Sequence, residues 1–111
     1  MNNAYTVKIT SQAEEQTQEI IYYITHELKA PDAAFHLLDI LEDSIASLSH
    51  YPQRVALIDE EPWHTKGIRR LPVKNFLIYF WIDDTNMTVH VTAIIYGKRD
   101  QLRQLSQMDM K

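Results

Sequence analysis

Gly67-Ile68-Arg69-Arg70-Leu71-Pro72-Val73, then Phe76-Leu77-Ile78-Tyr79-Phe80-Trp81-Ile82-Asp83, then Val89-His90-Val91-Thr92-Ala93-Ile94-Ile95-Tyr96: these three runs decide how the chain folds. β-branched and aromatic residues dominate each of them, and Lys74-Asn75 and Asp84-Thr85-Asn86 separate them. The stretch therefore reads as a three-stranded meander with turn chemistry in both gaps. In the middle strand Leu77, Tyr79 and Trp81 share one face, and Phe76, Ile78, Phe80 and Ile82 share the other. Both faces are apolar, so one is predicted to cover helices and the other to serve as a docking surface.

Upstream, Tyr5, Val7 and Ile9 alternate with Thr6, Lys8 and Thr10, the period-two pattern of a half-buried strand. Ser11-Gln12-Ala13-Glu14 fits a capping box and opens a helix. Ala13, Ile20, Ile21, Ile24 and Leu28 then recur on one stripe of a 3.6-residue period. Lys29-Ala30 breaks the helix. Pro31 suits the first position of a second helix, and Asp32 favours the positive end of its dipole. Ala34, Leu37, Leu38, Leu41, Ile45 and Leu48 mark the buried face of that helix, which Tyr51-Pro52 ends. Two long helices joined this tightly form an antiparallel hairpin. Residues 53–66 show no period and read as an irregular connection, with Asp59-Glu60-Glu61 a solvated loop. Residues 100–108 are short and polar and read as a final helical turn or a frayed end. The order β-α-α-β-β-β predicts one α+β domain over residues 1–111. Its N-terminal helical hairpin packs on one face of a mostly antiparallel four-stranded sheet.

Length and composition agree: 111 residues with 45 % hydrophobic residues form a core without metals or disulfides. The absence of cysteine excludes thiol chemistry and Cys-based zinc sites and fits a reducing cytoplasm, where this chain is expected to reside. With only two glycines there is no Gly-rich phosphate loop. No apolar run approaches a membrane span, and Met1 to Tyr5 lack the features of a signal peptide. Charge is unevenly divided. Residues 1–63 hold three Lys or Arg against eleven Asp or Glu, a balance of −8, whereas residues 64–111 hold eight against four, a balance of +4. The basic half is the expected interaction surface.

Arg69, Arg70, Lys74, Lys98 and Arg99 form the candidate anion-binding patch, for phosphate or for a partner's carboxylates. Strand alternation sends Arg69 and Arg70 to opposite faces, so one is expected to pair with an acid of the helical hairpin. Tyr79 and Trp81 are the candidate aromatic contacts. His26, His36, His50, His64 and His90 show no metal-ligand spacing, so neither a metal site nor a cofactor is expected. His64 and His90, near the basic strands, are the candidate proton-transfer groups.

The element order, together with Arg69-Arg70-Leu71-Pro72-Val73, Leu77-Ile78-Tyr79 and Tyr96-Gly97-Lys98-Arg99-Asp100, resembles the RelE/ParE superfamily of toxins from type II toxin–antitoxin modules. Ala13-Glu14, Ile21-Tyr22-Tyr23-Ile24, Asp32-Ala33-Ala34 and Leu48-Ser49-His50-Tyr51-Pro52 resemble its ParE branch. The resemblance implies a small cytoplasmic protein neutralised by a cognate antitoxin. RelE-like members cut messenger RNA on the ribosome, and ParE-like members poison DNA gyrase. Phe76 stands where RelE-like nucleases carry an arginine, and neither Tyr nor His closely follows Arg99. An acidic chain is also poorly suited to the polyanionic ribosomal A site. A protein target, with gyrase favoured, is the resulting expectation. As a ribosome-dependent nuclease the chain would draw on Arg69, Arg70, Arg99, His64, His90 and Tyr96. A degenerate toxin that retains only antitoxin binding is the third reading.

Overall fold

A computed structural model describes residues 4–96, 108 and 110. Strand β1 (Thr6–Ile9) leads into helix α1 (Ser11–Tyr22), which runs on through a π-helical turn at Tyr23–Glu27. Helix α2 (Pro31–Ala46) follows and tightens into a 3₁₀ turn at Ser47–Ser49. After a second 3₁₀ turn at Pro52–Arg54, strands β2 (Arg69–Val73), β3 (Phe76–Asp83) and β4 (Thr88–Tyr96) complete the fold. The sheet has the order β1-β4-β3-β2, with β1 parallel to β4 and the other pairs antiparallel. The expected α+β order and the three C-terminal strands are all present, with ends within two residues of those read from sequence. The final helical turn expected over residues 100–108 falls almost wholly outside the described residues.

Local chemistry corrects the helix ends. The N-cap of α1 is Thr10 rather than Ser11: its Oγ1 accepts from the Ala13 N–H at 3.2 Å, and its hydroxyl reaches the Thr92 carbonyl at 3.4 Å. Thr10 is buried and Ser11 exposed, so the cap falls on the hydroxyl that also has a partner in the sheet. At the other end, the Leu28 N–H bonds the Tyr23 carbonyl, a five-residue step. The extra residue in that turn advances the helical phase. Ile20 and Ile24 stay against the core, whereas Leu28, expected on the same stripe, is turned out to 56 % exposure. Lys29, at φ +52°, ends the helix in the left-handed region.

The main core lies between hairpin and sheet. Ala13, Leu41, Ile45 and Leu48 pack against Phe76, Ile78, Phe80, Val89, Val91 and Ile94, with Ile20, Ile24, Leu37 and Ile40 at the margin. Strand β4 does not alternate simply. A bulge opposite Tyr79 and Phe80 pairs them with Ala93 and Val91, leaving Thr92 as the extra residue. Val89, Val91 and Ile94 therefore face the hairpin, while Ala93 and Ile95 face away. Beyond the end of β1 the helix serves β4: the Gln16 side-chain oxygen accepts from the Ile94 N–H at 2.9 Å.

The second sheet face is covered rather than bare. Ile58, Ile68, Tyr79, Ala93 and Ile95 form a second buried cluster, flanked by Trp63, Leu77, Trp81, Met108 and Met110. The connection over residues 53–66 is ordered by backbone pairing. Ile58 N–H donates to the Ile68 carbonyl at 3.0 Å, Leu57 bridges Arg69, and Arg70 N–H reaches the Ala56 carbonyl at 3.4 Å. This pairing extends the sheet past β2 for three residues. Pro72, whose position repeats the outward direction of Ile68 and Arg70, has no N–H to offer and stops the extension.

Candidate functional site

The two adjacent arginines of β2 take different tasks. Arg69 pairs with Phe80, and its guanidinium donates to the carbonyls of Val55 (2.5 Å) and Gln53 (3.3 Å). The expected partner was an acid of the hairpin; the carbonyls of the connection lie nearer and satisfy the cation instead. Arg70 pairs with Tyr79 on the opposite side. Tyr79 is fully buried, and among the described residues its hydroxyl has no partner at hydrogen-bonding geometry. Burial pushes the Tyr79 pKa above the usual tyrosine value, with the nearby Arg70 guanidinium opposing the rise and the Glu60 carboxylate adding to it. Tyr79 is thus a buried floor of this surface rather than an exposed contact.

Trp81, half-buried, is the more accessible aromatic of that face. Its ring stacks on His90 with centroids 4.5 Å apart and planes 17° apart, and its Nε1 donates to the Met110 carbonyl at 3.2 Å. His90 Nε2 lies 4.0 Å from Asp83 Oδ2, a loose approach rather than a hydrogen bond. Asp83 is held below the ordinary aspartate value chiefly by the Asn86 side-chain amide, which donates to it at 2.8 Å. Thr92 places its hydroxyl 3.0 Å from the Met108 sulfur, so the bulge residue also faces this surface.

The remaining candidates lie apart. His64 sits on the connection, with Nδ1 2.8 Å from the Ile58 carbonyl. Tyr96 meets Phe76 edge-on at 5.2 Å, and Phe76 belongs to the hairpin-side core. His90 and Tyr96 consequently occupy opposite faces of β4, six residues apart, or roughly 20 Å along a strand. Lys74 is exposed in the β2–β3 turn at φ +56°. Lys98 and Arg99 lie outside the described residues. Among the described residues no group of three or more His, Asp or Glu is placed to hold a metal ion, and no helix is long and apolar enough to cross a membrane.

Sequence reasoning missed Asp83, Thr92 and the covering role of Ile58 and Trp63. Asp83 closes a readable strand, but its approach to His90 depends on the β3–β4 register. Thr92 is singled out only by the bulge.

No curated protein matches the chain. Among solved structures, the chromosomal ParDE toxin–antitoxin system of P. aeruginosa superposes with a TM-score of 0.70 at 17 % identity, covering 86 % of this chain and 99 % of that one. The RelBE2 toxin–antitoxin complex of Mycobacterium tuberculosis gives a TM-score of 0.59 at 20 % identity over 84 % of this chain and 91 % of the other. These similarities are of fold. The profile of the family described as the ParE toxin of the parDE type II toxin–antitoxin system matches residues 7–101, and the chain belongs to that family of toxins.

Proposed function

We propose that this toxin arrests growth in the cytoplasm by binding a protein target, DNA gyrase, and that a cognate antitoxin neutralises it. The carrying observation is the dispersal of the proton-transfer candidates. Cleaving RNA at its 2′-hydroxyl requires a base, an acid and a cation around one phosphate, all within hydrogen-bonding reach. His64 is engaged with the connection, and His90 and Tyr96 stand on opposite faces of the sheet. Such an arrangement suits recognition better than proton transfer.

The antitoxin would approach the face that carries Trp81 and Arg70, with Arg99 as the cation singled out by resemblance. Trp81→Ala and Arg99→Glu should each weaken antitoxin binding roughly thirtyfold, the usual effect of truncating an aromatic or Arg anchor. Unchanged calorimetry for both would remove this interface. For the target, supercoiling by purified gyrase is measured with added toxin, and cellular messengers are mapped by primer extension after induction. Inhibited supercoiling with intact messengers supports the reading. Codon-phased cuts that vanish in Arg99→Ala would replace it with the nuclease reading.

A further inference from the structure

We infer that the tip of the helical hairpin is the toxin's target-docking surface, and that it fits a cationic protein surface of the kind that holds a nucleic-acid backbone. This rests on the proposal that the target is a DNA-handling protein. It adds which part of the toxin makes the contact.

The first observation is an unpartnered apolar patch. Tyr22, Tyr23, Leu28 and Phe35 are each 53–67 % exposed, and all lie within the last turns of α1 and the first turns of α2. Exposed aromatics gathered at one end of a small domain mark an interaction site rather than scattered surface residues. The π-helical turn produces the gathering, because its extra residue rotates Leu28 out of the core stripe. Tyr22 is already ordered against the His26 ring at 4.3 Å, so less side-chain freedom is lost on binding.

The second observation is the charge along the two helices that carry the patch. Glu14, Glu15, Glu19, Glu27, Asp32, Asp39, Glu42 and Asp43 are all exposed on the two helices, against Lys29 as the one Lys or Arg. Each helix carries four carboxylates over roughly 24 Å, about one charge per 6 Å, a sparser row than the ~3.4 Å phosphate spacing of one DNA strand but of a single sign. A partner that neutralises phosphates with Lys and Arg meets the same sign of charge here. A shallow depression of about 330 Å³ lined by Glu15, Gln18, Glu19 and Tyr22 offers a cationic side chain both carboxylates and an aromatic ring.

The patch lies on the far side of the core from the Trp81 face. Target and antitoxin contacts are therefore separable by mutation, and the antitoxin neutralises by its bulk rather than by covering this patch. Two double variants test the surface: Tyr23→Ala with Phe35→Ala, and Glu15→Lys with Glu19→Lys. All four side chains are exposed, and unchanged circular dichroism and melting show that each variant folds. Both variants should fail to arrest growth on induction at wild-type protein levels. Their affinity for the antitoxin should stay within about twofold of wild type, where loss of a true anchor gives about tenfold or more. Arrest equal to wild type, a parallel loss of antitoxin affinity, or a wild-type chain that does not arrest growth would each overturn the inference. If the wild type arrests growth, both variants do not, and purified gyrase is unaffected, the gyrase reading falls and this surface stands.

Discussion

Arg69→Met should destabilise the fold without removing any apolar contact, which makes it a sharp test of how the connection is held. The guanidinium donates to the Val55 and Gln53 carbonyls, at 2.5 and 3.3 Å, and so ties residues 53–55 to the first residue of β2, which Leu57 also bridges. A hydrogen bond from a charged donor contributes about 1.5–3 kcal/mol, and the longer of these two is near the limit of useful geometry. Arg69 is half-buried, so water recovers part of what is lost. A net loss of about 2 kcal/mol follows. For a domain of this size the unfolding entropy is roughly 0.23 kcal/mol per kelvin, which converts the loss into a Tm drop of about 9 °C. Arg69→Lys should behave similarly, since a single ammonium on a flexible stem does not reproduce the planar fork. Circular dichroism melting measures the drop, and limited proteolysis should show earlier cutting within residues 53–66. A Tm within about 2 °C of wild type would refute the assignment of Arg69 as a structural tie.

Leu41, 1 % exposed at the centre of the hairpin–sheet core, should lose about 2–5 kcal/mol on truncation to Ala, and a urea midpoint equal to wild type would contradict the packing. Tyr79→Phe removes a buried hydroxyl that, among the described residues, has no partner at hydrogen-bonding geometry, so stability at pH 7 should be equal to or slightly above wild type. The folded pKa of Tyr79 is raised, so its contribution is complete below the unfolded value near 10 and is lost as pH rises through the folded value. Wild type should weaken relative to Tyr79→Phe only in strongly alkaline melts; equal slopes there would count against the burial effect. Asp83 has the opposite sign: its folded pKa is depressed, so its contribution is present above the unfolded value and lost as pH falls through the folded one. Asn86→Ala should therefore lower Tm at neutral pH and converge with wild type in acid, and a Tm gap that is constant with pH would reject the Asp83–Asn86 link.

Much of this architecture is legible along the chain because short-range periodicity encodes it. Ala34, Leu41 and Ile45 fall on one helical stripe and are all buried, as a 3.6-residue period requires. Phe76, Ile78 and Phe80 fall on one strand face and all enter the same core, as a period of two requires. Pro31 and the Lys74-Asn75 turn mark element boundaries by backbone chemistry that acts within a few residues. The failures come where a local signal had two solutions. Thr10 and Ser11 were both able to cap α1, and Leu28 kept the helical period only if the last turn stayed α-helical.

The sequence by itself determined the family-like element order, the two amphipathic helices, the two apolar faces of β3 and the division of charge between the halves. Each depends on residues within one or two turns of one another, or on a count. Only the tertiary structure decided what those residues do together. It sent Arg69 to backbone carbonyls of the connection, buried Tyr79 under Ile58 and Trp63, and stacked Trp81 on His90. Through one bulge in β4 it put His90 and Tyr96 on opposite sides of the sheet. These outcomes rest on strand register and on packing between residues far apart in the chain. A one-residue shift in pairing exchanges the faces, and no local pattern in the sequence records that choice.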